Sequence, residues 1–185
     1  MQIDWNILSD TDSSFLSRMK EAADQCTAAE KIDIPCMISV CLCDDHYIRT
    51  INRQYRNLDR STDVLSFPSV TYPAGMTAGT CESLIRQEYD PETGACFLGD
   101  IFISVQHIKT QAVEYGHSEL REAVYLLVHG ICHLMGYDHI QPDDKEKMRH
   151  MEEKIMSAVN IHRDQYDTDD ETLLNLARQA MSRSY

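Results

Sequence analysis

The sequence predicts an α+β protein, a small mixed β-sheet packed with several α-helices. Strand-like apolar runs come mostly before helix-patterned segments, and no regular strand–helix–strand alternation links them. A length of 185 residues suits one domain over 1–185. With 43% hydrophobic and 25% charged residues, the chain belongs among globular rather than disordered proteins.

Each element has its own signal. Phe15, Leu16, Met19, Ala22, Ala23 and Cys26 recur at helical spacing after Asp12 and Ser13, which predicts a helix over 12–30. The short apolar run CMISVCLC predicts a buried strand over 36–43. Asp44 opens a helix to about Tyr55, and 64–67 is a strand stopped by Pro68. Three prolines and three glycines punctuate 68–97, so this stretch predicts a long inserted loop with a short helix near 81–88. A third strand follows over 98–105. Helices are expected over 107–115, ending at Gly116, and from the cap Ser118 to Met135, stopped by Gly136. Another follows Pro142 over 143–159. Thr168 and Glu171 make a capping box ahead of an amphipathic helix, so 162–185 is expected to be a C-terminal helical extension. Trp5 is expected in the core.

Seven cysteines cannot all pair within the chain, and none form C-x-x-C, so reduced thiols are expected. The first residues lack a basic segment followed by an apolar run, and no apolar run approaches the ~18 residues of a membrane span. A cytoplasmic protein with no membrane partner is expected.

The chemistry concentrates in one segment. His129 and His133 stand four residues apart, on one face of a strongly apolar helix. Gly136 permits the left-handed residue that turns the chain back, so His139 can return toward them. Three imidazoles converging at ~2.0–2.1 Å on one ion make a zinc site with its fourth position open for water. Ordinary core or surface histidines are the plain alternative, but unpaired imidazoles on an apolar helix are costly. The zinc-peptidase pattern H-E-x-x-H is close, yet Gly130 stands where its general-base Glu belongs. Asp138 is the nearest replacement carboxylate, and it could equally orient a ligand. The other five histidines are expected to be structural or solvated.

His129 to His139 reads H-G-x-x-H-x-x-G-x-D-H, which resembles the signature of the YbeY family of bacterial endoribonucleases and ribosomal RNA maturation factors. The blocks from Asn52 to Pro68 and from Leu98 to Ser104 resemble that family too, and in its order. The resemblance implies a zincin-like fold and one Zn2+ held by His129, His133 and His139 plus water. It implies single-strand-specific RNA cleavage in late 16S rRNA 3′-end maturation and in 70S ribosome quality control. Its implied partners are ribosomal RNA, the small ribosomal subunit and its proteins, and a ribosome-assembly GTPase. It makes Arg56 a catalytic or substrate-phosphate contact. Cys132 stands where the family usually has an aliphatic residue; it points about 100° away from His133 on the helix, so it is expected to pack.

The chain carries 17 basic and 30 acidic residues, a net charge of −13, which argues against a general nucleic-acid coat. Within 46–60, however, four arginines face one acid. Arg49, Arg53, Arg56 and Arg60 share one helical face, and a solvated charge stripe is the plain alternative. We expect Arg49, Arg53 and Arg56 to bind RNA phosphates on a face near the zinc. The expected mechanism is metal-assisted phosphodiester hydrolysis, with His129 in the catalytic set and Arg56 neutralising developing charge. Its rivals are a zinc metallopeptidase and a non-catalytic ribosome-assembly factor with a structural metal.

Overall fold

The structure, a computed structural model, describes residues 1–162. The expected helix after Thr168 lies outside the described residues. Strands β1 (Gln2–Ile7) and β2 (Cys36–Cys43) run parallel. Helix α1 (Ser13–Ala29) makes the crossover that a parallel pair requires. Strand β5 (Ala95–Ser104) lies parallel to β2 on its other side, and β3 (Val64–Pro68) runs antiparallel to β5 at the far edge. A two-residue β4 (Tyr89–Asp90) pairs with the start of β5. The sheet is therefore mixed, as the sequence predicts.

Three strands depart from expectation. β1 carries no expected element, because as an edge strand it is only half covered and its apolar alternation is weak. Trp5 sits on it, partly buried against the core rather than inside it. β5 begins three residues earlier than expected, since Ala95 and Cys96 pair with β4. The 68–97 stretch holds that β4 and a short helix α3 (Glu82–Ile85) between 3-10 turns at 78–80 and 86–88.

Both faces of the sheet are covered, which explains the unbroken apolar run of β2. Ile38, Val40 and Leu42 face α1 and helix α5 (Glu119–Leu134). Cys41 and Cys43 face the other way, with Leu65 of β3 and Ile48 of helix α2 (Asp45–Arg56). Helix α2 thus lies on the sheet face opposite α5. Expected caps are in place. Asp44 accepts from the Tyr47 N–H at 2.7 Å, and Ser118 accepts from the Arg121 N–H at 3.1 Å. Gly116 ends helix α4 (Val105–Tyr115) in the left-handed conformation. Helix α6 (Pro142–Ala158) packs on α1 and α5. All seven cysteines are free thiols. Cys132 is buried in the core, where burial pushes its thiol well up, so its expected packing role agrees. No described helix is long and apolar enough to cross a membrane.

Candidate metal centre

Helix α5 presses its middle directly on the sheet. A Cβ built at Gly130 would meet two Ile101 carbons at 3.0 Å and Ser66 Oγ at 3.1 Å. Position 130 therefore points into the sheet and leaves no room for a glutamate. The peptidase-type general base is excluded here by geometry as well as by sequence.

His129 and His133 project from the flank of that helix, about 60–100° around it from Gly130. Gly136, at φ +87°, turns the chain after the helix end and returns His139 to them. The ligand atoms of the three histidines all lie within 4.8 Å of one another. His129 Nε2 and His133 Nε2 are 3.1 Å apart. Two ligands at about 2.0–2.1 Å from a tetrahedral ion stand roughly 3.4 Å apart, so this spacing suits a shared ion.

The outer nitrogens reinforce that fit. His129 Nδ1 is 2.7 Å from Glu152 Oε1, and His133 Nδ1 is 3.1 Å from the Tyr137 carbonyl oxygen. A carboxylate and a carbonyl only accept, so each Nδ1 carries the hydrogen. In the neutral form of both rings, the two Nε2 lone pairs are then directed at the same space. A cation placed between them turns that repulsion into attraction. Burial and the neighbouring His129 and His139 push His133 down to about 4, which keeps it neutral as a ligand must be. The donor set thus fits a borderline divalent ion that accepts nitrogen ligands.

The cluster stands between two cavities. His129 and His139 line one of about 750 Å³ with Tyr125, Arg121, Lys145 and Arg149. His133 lines another of about 520 Å³ with Tyr72, Thr77, Tyr137, Asp138 and Lys147.

The remaining expected site residues are placed as follows. Asp138 is exposed, and its carboxylate accepts from the His139 N–H at 2.7 Å, so it shapes the loop that carries the third histidine. Arg49 is held by Asp59 through two bonds of 2.9 and 3.0 Å. Arg53 and Arg56 are exposed near the end of α2, with no ion-pair partner among the described residues. Described residues lining the two cavities include none of these three arginines. The segment after α2 rounds the sheet edge to Asp63, which does line the larger cavity. Burial would raise Asp63, but hydrogen bonds from Gln111, Val64 and Thr62 hold it below its ordinary value.

Sequence reasoning misses Glu152, the partner of His129. A signal exists, because an acid stands in the apolar stripe of Met148, Ile155 and Val159. His117, expected to be structural or solvated, is buried and 3.0 Å from buried Glu122 on the wall of the larger cavity.

A mixed sheet backing a helix with two histidines, and a loop returning a third, defines an α+β protein with a three-histidine metal-type site. A family profile described as Endoribonuclease YbeY matches residues 4–160. A protein named Endoribonuclease YbeY from Clostridium botulinum (strain Loch Maree / Type A3) is 41% identical over 155 residues, covering 82% of this chain and 92% of its own. Its namesake from Acetivibrio thermocellus is 40% identical over 148 residues, covering 80% and 88%. The solution structure of TM1509 from Thermotoga maritima shares the fold, with a TM-score of 0.54 at 23% identity over 90% of this chain and 98% of that one. The chain belongs to the YbeY endoribonuclease family.

Proposed function

We propose that this chain is a zinc-dependent endoribonuclease that cuts single-stranded RNA, in late 16S rRNA 3′-end maturation and 70S ribosome quality control. The observation that carries the reading is two Nε2 atoms 3.1 Å apart with a third imidazole beside them, in a chain of an endoribonuclease family. Bound there, zinc supplies Lewis-acid activation of a phosphoryl oxygen and of water.

The chain's own groups do the rest. Glu152 and the Tyr137 carbonyl hold two imidazoles in the tautomer that ligates. Tyr125 and Tyr115 line the larger cavity with Arg121, which lies over the Tyr125 ring, Arg149, which pairs with Glu153, and Lys145, which has no ion-pair partner among the described residues and is the cation for phosphates. Rings and cations side by side suit unstacked, single-stranded bases. Arg56 neutralises charge developing on the phosphate, and Asp138, whose carboxylate accepts from the His139 N–H, is the candidate for proton transfer. The chain acts as one domain in the cytoplasm. Its partners are ribosomal RNA, the small ribosomal subunit and its proteins, and a ribosome-assembly GTPase.

The test is RNA cleavage by a nuclease-free preparation, before chelation, after chelation and after zinc is restored. Single-stranded RNA, the same sequence as a duplex, and a 16S precursor with an extended 3′ end are the substrates. The reading expects cutting of the single strand and the precursor, lost on chelation and regained with zinc. Equal cutting of the duplex, or cleavage indifferent to chelation, would contradict it. Loss of stability without any chemistry would mark the metal as structural.

A further inference from the structure

The stretch 68–97 has no assigned role, and it touches the loop that carries His139 in several places. Tyr72 Cδ2 and the Met76 carbonyl oxygen would lie 2.7 and 2.9 Å from a Cβ at Gly136. The Ala78 N–H donates to the Met135 carbonyl at 2.9 Å. One carboxylate joins these contacts. Glu30 caps the C-terminal end of α1, a helix packed on α5. Its Oε2 accepts from the Thr77 hydroxyl at 2.9 Å and from the Gly79 N–H at 2.7 Å. Its Oε1 accepts from the Tyr137 hydroxyl. Tyr137 in turn supplies the carbonyl that receives the His133 Nδ1 hydrogen at 3.1 Å.

We propose that Glu30 is a positioning residue of the metal centre, clamping the 77–79 turn and Tyr137 together so that the loop bearing the His133 acceptor and His139 keeps its ligating shape. The proposal rests on the reading that the three histidines hold a metal ion. Tyr137 is tethered at two ends. Its backbone N–H donates to the Cys132 carbonyl at 3.0 Å, and its phenol reaches Glu30. Without the second tether, the carbonyl facing His133 and the turn leading to His139 lose a side-chain restraint. The 68–79 stretch then has a definite job, as the wall of the smaller cavity and the brace of the ligand loop.

The experiment titrates Co2+ into apo protein for wild type, Glu30→Ala, Tyr137→Phe and Thr77→Val. Affinity comes from chelator competition and geometry from the cobalt absorption spectrum, below the melting temperature of every variant. Glu30→Ala and Tyr137→Phe should each bind Co2+ about tenfold more weakly, with an altered spectrum, as expected for groups that orient ligands. Thr77→Val, which removes one of three donors to the carboxylate, should lose less. Should Glu30→Ala fail to fold, Tyr137→Phe, lacking a single hydroxyl, decides alone. Wild-type affinity and spectrum in folded Tyr137→Phe overturn the clamp while leaving the metal site standing. A wild-type protein that takes up no Co2+ overturns the metal reading, and the clamp with it.

Discussion

Glu152 decides which nitrogen of His129 faces the cluster, because its carboxylate can only accept and so fixes the hydrogen on Nδ1. Glu152→Ala should therefore lower metal affinity by about 10–100-fold, whereas Glu152→Gln keeps an acceptor oxygen and should lose less. Chelator competition measures both, and unchanged affinity in Glu152→Ala would contradict the role. A second buried acid gives a pH signature. Burial pushes Glu122 up to about 7 from an ordinary 4.5. The folded state thus holds this proton more tightly than the unfolded chain does. The stability it contributes is full below 4.5 and is lost as pH rises through about 7. Between pH 5 and 8 the denaturant midpoint should fall in wild type and fall less in Glu122→Gln; parallel curves would assign the effect to other groups. At this scale the three histidines are legible, since i, i+4 spacing and a glycine turn are local facts. Glu30 is not, because its partners lie 47 and 107 residues away in sequence and only the fold brings them together.

Among the elements, α5 carries the site because it meets the sheet without a side chain at position 130. Gly130→Ala tests this with two opposed effects. Alanine favours a helix by about 1 kcal/mol over glycine, while forcing a methyl into a filled core costs roughly 1–3 kcal/mol. The contacts at 3.0 Å fall on a side chain of the central strand β5, which yields little, so overpacking wins. A net loss of about 1 kcal/mol is expected in denaturant melts, with weaker metal binding as the helix shifts. A stabilised variant with native metal affinity would show that α5 rests less closely on β5. Several helices were readable from a cap such as Asp44, Ser118 or Gly116, and α6 from the proline at its start. The strands β1 and β4 were not. An edge strand with exposed alternate residues has little apolar contrast, and a two-residue strand exists only through its pairing with Ala95 and Cys96.

Across the whole molecule, the net charge of −13 is a matter of distribution rather than a bar to RNA. Arg53 and Arg56 stand out on α2 without ion-pair partners among the described residues, while Asp59 already occupies Arg49. Salt dependence of RNA binding separates them. The slope of log affinity against log salt should flatten by about 0.7 for each of Arg53→Ala and Arg56→Ala that touches a phosphate of single-stranded RNA. Arg49→Ala should change it little. Weak binding to naked RNA is expected from so acidic a body, and the proposed ribosomal partners would supply the remaining contacts. The class of fold and the three clustered histidines can be read from sequence. The relation of the arginine helix to the metal cannot, because it depends on which sheet face α2 covers. The most direct measurement of the central claim takes zinc content and RNA cleavage from the same preparations of wild type, His129→Ala and His133→Ala. The account predicts one zinc per chain and cleavage of single-stranded RNA in wild type, with both lost in the folded variants. Full cleavage by a variant that holds no zinc would contradict it.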